Sequence, residues 1–361
     1  MPSEAAMPPR RARRTLCLLA TYGVAAAAFL VVHAAFGRLA ALAEREEGAY
    51  LYSEEEWLHP LAPDLHLATD RPMISVFGPS EIREGLLVDD LQARFPGWRV
   101  HQDALSQGTS VEAGIFLDLL EAQGGKTARP AVLLLALTPR FVLGHQDEGA
   151  TPFLDAIDRY SASFGVDRSG AAPVLVRKGP WPAARSQLAW WSAQTRRYRH
   201  ALRAFVPRVF GWFGRKSPLG PGRALAPPKF HHWTPTDKAP YTTPEFLESY
   251  ETLRVLAAWD PATEGRLPKQ WLADLRRLCD ERGIRLFAFL HPQASWSRRT
   301  WCAERHQAFE ELCHQALADR PLLDLRTLLA DSDYFDFVHP NREGARRLTQ
   351  RLGEFLASHI D

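Results

Sequence analysis

The chain has 361 residues, room for one large domain carrying an insertion or for two small ones. With 46% hydrophobic and 24% charged residues it has the composition of an ordinary globular protein, and its 27 prolines predict many loops. A formal net charge of +2 excludes no class of partner; the placement of the charge is what discriminates.

Arg10, Arg11, Arg13 and Arg14 precede an uncharged run from Thr15 to Phe36, "TLCLLATYGVAAAAFLVVHAAF", long enough to cross a bilayer as a helix. The arginines should stay cytoplasmic, which places everything after Arg38 outside the cytoplasmic membrane, periplasmic or extracellular. A cleaved signal peptide, with Val32 and Ala34 before the cut, is the rival reading; the apolar run is long for one, so a retained single-pass anchor is expected. The chain then divides into a basic tail (1–14), an anchor (15–36), a juxtamembrane linker (37–70), an α/β domain (71–168 and 237–361) and an insertion (169–236).

Past the linker, "MISVF" (Met73–Phe77) is a short apolar strand bounded by Pro72 and Gly78. A helix should start at about Ser80, since Ile82, Leu86, Leu87 and Leu91 recur at helical spacing. A strand around Trp98–His101 and a helix over about Val111–Ala122 follow. "AVLLLAL" (Ala131–Leu137) has the near-continuous apolarity of a parallel strand buried on both faces. Later come a helix stopped by Gly283, a strand Arg285–Leu290, a helix about Glu304–Leu317, a short strand near Leu322–Leu325 and a final helix about Arg342–Ala357. Alternating strands and helices predict a doubly wound parallel α/β sheet.

The segment from Ser169 to Thr236 contains no Asp or Glu, yet carries basic residues from Arg177 to Lys229 interleaved with aromatics such as Trp181, Trp190, Trp191, Phe210 and Trp212. In a cytosolic protein this pattern would suggest nucleic acid. Behind an anchor it fits an anionic membrane surface or a phosphate-rich envelope polymer, or a solvated helical insertion whose aromatics pack on the domain; no nucleic-acid partner is expected.

Four positions fall where chemistry is placed in such folds. Ser80 follows the first strand at a turn opening a helix, where it is either a cap or a nucleophile supplied with backbone N–H groups for an oxyanion. Gly108 in "LSQGTS" follows the second strand, either an ordinary turn glycine or a further N–H donor. In "DYFDFVHPNREG", Asp336 and His339 are spaced to place a carboxylate on one ring nitrogen while the other faces a serine, with Asp333 as reserve.

Serine after the first strand, glycine after the second and DxxH before the last helix resemble the ordered blocks of the SGNH (GDSL-type) hydrolase superfamily, with its flavodoxin-like sheet. Within it, "FGPSE" (Phe77–Glu81) and "LTPRFV" (Leu137–Val142) look like the "GSSE" and "SPQWF" stretches of the DltD family, anchored extracytoplasmic proteins of teichoic acid D-alanylation. The resemblance implies Ser80 as nucleophile, His339 as base, Asp336 as orienting acid and Gly108 as oxyanion donor. Two departures stand out: Pro79 replaces the usual acid before the serine, and Thr138-Pro139-Arg140 replaces the block that commonly supplies an asparagine amide. Thr138 would substitute as a donor and Arg140 would bind an anionic group; losing such a donor costs about a hundredfold or more in rate, which fits a slow enzyme or one specialised for transfer.

The expected function is a serine esterase or O-acyltransferase acting on acyl esters of an envelope glycan or lipid, with the lipid bilayer and a membrane-bound O-acyltransferase as partners and no cofactor. A non-catalytic binding or scaffold protein is the alternative. A metal-dependent hydrolase is disfavoured: His101, His145, His231 and His232 do not form ligand spacings, and the four cysteines show no CxxC. An odd number of cysteines outside the anchor (Cys279, Cys302, Cys313) allows at most one internal bridge.

Overall fold

A computed structural model describes residues 20–24, 31, 71–105, 108–143, 152–170, 173–192, 259–336 and 338–360. Two compact units emerge, Met1–Glu55 with Trp191–Phe230, and Glu56–Trp190 with His231–Asp361; the sheet and the candidate site belong to the second. In the first, residues 20–24 and 31 of the expected anchor are helical and exposed, and the rest of 15–36 lies outside the described residues. Among the described residues no helix is long and apolar enough to cross a membrane.

The second unit is mixed α/β. In chain order it contains β1 (Met73–Phe77), α1 (Ser80–Gly85), α2 (Val88–Arg94), β2 (Arg99–Gln102), α3 (Ser110–Gly124), β3 (Val132–Leu137), α4 (Pro139–Leu143), α5 (Pro152–Tyr160), β4 (Phe164–Asp167) and β5 (Val174–Arg177). Then follow α6 (180–192, its last two residues in the first unit), α7 (Arg266–Arg282), β6 (Arg285–Leu290), α8 (Ala303–Leu317), β7 (Leu322–Asp324) and α9 (Arg342–Ala357). Five strands pair in parallel in the order β2-β1-β3-β6-β7, consistent with a doubly wound fold whose order reverses between β1 and β3.

Every residue of β1 and β3 is buried, as their unbroken apolarity requires of strands covered on both faces. Alternate side chains serve the two faces. Ile74, Val76, Leu134, Ala136 and Phe289 pack with Ile82, Leu91, Leu348 and Leu352 of α1, α2 and α9. On the other face Phe77 meets Phe116 of α3 and Phe141 of α4, with ring centroids 5.4 and 6.1 Å apart. Burying a Leu, Ile or Phe side chain contributes roughly 1.5–3 kcal/mol, so these two layers dominate the stability of the sheet.

Two expectations change in detail. The helical spacing expected from about Ser80 through Leu91 breaks at Leu86, which is extended (φ −114°, ψ 125°), and the Leu87 N–H donates to Thr349 Oγ1 of α9 at 2.9 Å. A tertiary bond thus overrides a helical spacing of leucines. The expected boundary at 168/169 is crossed by an antiparallel hairpin, in which β5 pairs with β4. Residues 169–190 therefore belong to the unit that carries the sheet; 193–236 lie outside the described residues.

Candidate active site

The site forms at the carboxyl edge of the sheet, at the point where strand order reverses. β1 ends at Phe77 and α1 begins at Ser80, with Pro79 as the N-cap in extended conformation (φ −78°, ψ −172°). Ser80 is the first helical residue and does not cap. Its hydroxyl is therefore not engaged with the helix backbone, and its own N–H sits in the first turn, where a helix offers no acceptor.

The DxxH segment folds back on itself before α9. Tyr334 and Pro340 form an antiparallel bridge, and the Phe335 N–H donates to His339 O at 3.0 Å. Asp336 sits in the bend: its Oδ1 accepts from the N–H groups of Val338 (2.9 Å) and His339 (2.7 Å), which leaves Oδ2 for the ring. His339 Nδ1 lies 2.7 Å from that Oδ2, and Nε2 lies 3.0 Å from Ser80 Oγ. Phe335 stacks on the imidazole, centroids 5.7 Å apart and planes 15° from parallel. Two orthogonal constraints fix the ring.

Helix packing holds this loop to the serine. Asn341 caps α9 by accepting from Glu343 and Gly344 N–H, while its own N–H donates to Asp333 O at 2.7 Å. A Cβ on Gly344 would lie 2.4 Å from that same Asp333 oxygen, and one on Gly85 3.2 Å from Pro340 Cγ. Glycine at these two places lets α9 and α1 close on the loop from both sides. Asp333, the reserve carboxylate, is structural: it is buried and accepts from Ala330 N–H and from Arg347.

The electrostatics suit the geometry. Burial opposes the Asp336 carboxylate, but the bonds from the His339 ring and from the two amides outweigh it and hold the group below the usual aspartate range. For His339, burial acts to lower basicity; the bond and charge of Asp336, with the charges of Glu81 and Glu84, prevail and raise it above an ordinary histidine. With Nδ1–H donating to Asp336, Nε2 of the neutral ring is the acceptor for the serine proton.

The oxyanion side departs from expectation. Gly108 does approach the serine turn: a Cβ there would lie 3.3 Å from Gly78 O. Its N–H, however, donates to Leu105 O at 2.9 Å, closing a turn, so this amide is not free to serve an oxyanion in this conformation. Thr138 directly follows β3, the strand whose Leu135 pairs with Phe77 at the end of β1. It is buried and its Oγ1 accepts from Phe141 N–H at 3.1 Å, capping α4; its hydroxyl hydrogen remains a donor. Arg140 is half-buried in the first turn of α4.

Two neighbours of the relay have roles that no motif of the sequence assigns. Glu81 Oε2 lies 3.2 Å from Ser80 Oγ, a second acceptor for the hydroxyl proton beside His339 Nε2. His291 directly follows β6 at the same edge, and its N–H donates to Leu137 O at 3.0 Å. Its Nδ1 donates to Pro292 O at 2.8 Å and its buried Nε2 has no hydrogen-bond partner among the described residues. Burial first, then the charge of His339, push its pKa down to about 4, against Glu81 and the bond to Pro292. It is a neutral acceptor at the edge. Its place straight after a buried strand was the available signal.

A second Ser/Asp/His group shows what is specific to the first. Ser75 Oγ donates to Asp103 at 2.5 Å and His101 Nδ1 lies 2.6 Å from the same carboxylate. Here the aspartate stands between the other two, so no base faces the hydroxyl; the group ties β1 to β2. Among the described residues no cluster of three or more His, Cys, Asp or Glu is placed to hold a metal ion; His145, His231 and His232 lie outside them. Cys279, Cys302 and Cys313 are free thiols, and burial pushes Cys279 up to about 12, away from reactivity.

Compared with protein-family models and with curated proteins, the chain has no match among either.

Proposed function

We propose that the chain is a serine esterase or O-acyltransferase on an SGNH-like fold, anchored in the cytoplasmic membrane by 15–36 with its main domain outside. The observation that carries this reading is the unbroken relay from Ser80 through His339 to Asp336, at 3.0 and 2.7 Å. Ser80 Oγ attacks the carbonyl carbon of an acyl ester as His339 Nε2 takes its proton; the imidazolium, held by Asp336, then protonates the leaving alkoxide. The acyl-enzyme passes its acyl group to water or to a hydroxyl of an envelope glycan or lipid, His339 again serving as base. Developing negative charge on the carbonyl oxygen meets the Ser80 N–H and the Thr138 hydroxyl, and Arg140 serves an anionic group of the substrate. A membrane-bound O-acyltransferase is the natural acyl donor on this reading, by analogy with the DltD-like family.

A second reading has its own support, in the Gly108 amide that is already bonded to Leu105 O. On it, the fold is a non-catalytic scaffold for an anionic envelope polymer or for a membrane-bound acyltransferase. Incubating the protein with a p-nitrophenyl acyl ester and measuring its intact mass separates the two. An acyl adduct that maps to Ser80 and is absent from Ser80→Ala supports the enzyme; no adduct on the folded wild type, alone or in membranes, leaves the scaffold.

A further inference from the structure

Helix α6 is mounted with its apolar side outward. Lys178, just before it, donates to Ile157 O (3.3 Å), Asp158 O (2.6 Å) and Ser161 O (2.9 Å) at the carboxyl end of α5, and to Ser186 Oγ (2.8 Å). An ammonium group on the last carbonyls of a helix is well placed for the dipole and for their unmet hydrogen bonds. Ser186 is 4% exposed and is the buried contact of α6. Trp181, Ala184 and Leu188 follow helical spacing on the opposite face, and there Trp181 is 85% and Leu188 65% exposed. Arg185 is exposed beside them, and the strand leading into the helix exposes Val174, Val176 and Arg177.

An amphipathic helix that buries a serine and exposes a tryptophan and a leucine is inverted relative to a helix built for water. We infer that this outward face of α6 docks on the surface of an anionic lipid bilayer, with Trp181 and Leu188 at the headgroup boundary and Arg185 and Arg177 on the lipid phosphates. Charge selects this occupant: 173–192 carries basic residues and no carboxylate, so nothing on the segment repels an anionic headgroup. The apolar anchors select it over a soluble polyanion, which would meet arginines but gain nothing from an exposed tryptophan. The inference rests on the proposed placement of the domain beside a membrane, and adds a contact that would hold the domain flat against it.

The test uses the full chain with Cys17→Ser and Cys302→Ser, an environment-sensitive NBD label on Leu188→Cys, and a control label on Asp319→Cys, whose native side chain is 81% exposed. The labelled proteins are combined with vesicles of phosphatidylcholine, with and without phosphatidylglycerol, that contain doxyl-labelled lipid. The expected result is a blue shift and strong quenching at 188 in the anionic vesicles, weaker in the neutral ones, with position 319 remaining water-like. Trp181→Asp, at a surface position, should abolish the change at 188. Emission at 188 that stays as water-like as at 319 overturns the inference, and so does a label already shifted but inaccessible to lipid quencher, since protein would then cover the face. A response to soluble polyphosphate and not to vesicles also overturns it, in favour of a polymer. Fluorophosphonate labelling of Ser80 in the same samples reports separately on the enzyme reading, and retention in vesicles after a carbonate wash reports on the anchor.

Discussion

At the Ser80 end of the site the hydrogen bonds converge on the reacting oxygen, whereas around Gly108 and Thr138 they run back into local backbone. His339 accepts from Ser80 and is held by Asp336, which two amides hold in turn. Gly108 instead closes a turn on Leu105, and Thr138 caps α4. The contrast separates activation of a nucleophile, which the chain builds by itself, from stabilisation of the charge that attack creates, for which fewer groups are free. A site of this kind labels readily with a reactive phosphonate and turns over slowly unless a substrate or partner completes it.

Substitutions can remove either the activation of the nucleophile or the stabilisation of the oxyanion. Ser80→Ala removes the nucleophile and should abolish the acyl-enzyme with the thermal midpoint little changed, and His339→Ala should slow its formation by about a millionfold, measured by stopped-flow or mass spectrometry. Asp336→Asn should cost about ten-thousandfold, because the amide stabilises the wrong tautomer of the ring. Thr138→Val sharpens the other side. If its hydroxyl donates to the oxyanion, the rate falls about a hundredfold and Thr138→Ser restores it; if it only caps α4, the variant loses about 1 kcal/mol of stability and keeps its rate. Gly344→Ala forces a Cβ onto Asp333 O and should destabilise the fold by about 1–3 kcal/mol in urea titration, with a modest loss of labelling.

The smallest effect concerns pH. His339 must be neutral to act as base, and its basicity is raised, so the labelling rate should climb with pH around a midpoint above the ordinary histidine value. Glu81→Gln removes a charge that raises it and should move that midpoint down. Stability runs the other way: the raised group contributes fully below the unfolded histidine value, and that contribution is lost as pH rises through the folded value. A thermal midpoint that falls over the same pH range in which labelling rises would join the two observations to one residue.

Much of this was legible where local chemistry decides structure. The strands Met73–Phe77 and Arg285–Leu290 and the helix Arg342–Ala357 have the bounds their apolar runs and caps predict. The leucines from Leu86 to Leu91 misled, because the bond from Leu87 to Thr349 acts across 262 residues and leaves no periodic trace. The hairpin of β4 and β5 was missed because its strands are four residues each and β5 lies in a stretch that reads as basic insertion. At the site, Ser80, Asp336 and His339 were visible as ordered blocks, and the structure brings all three together. Glu81 and His291 were not, since what singles them out is proximity to the ring of His339, set by the packing of α1 and β6.

The most direct test is fluorophosphonate labelling of the full chain, followed by peptide mapping. A covalent phosphonyl adduct should form on Ser80 and vanish in Ser80→Ala and in His339→Ala. A folded wild type that takes no adduct in detergent or in membranes, or an adduct that maps to Ser80 and persists undiminished in His339→Ala, would contradict it.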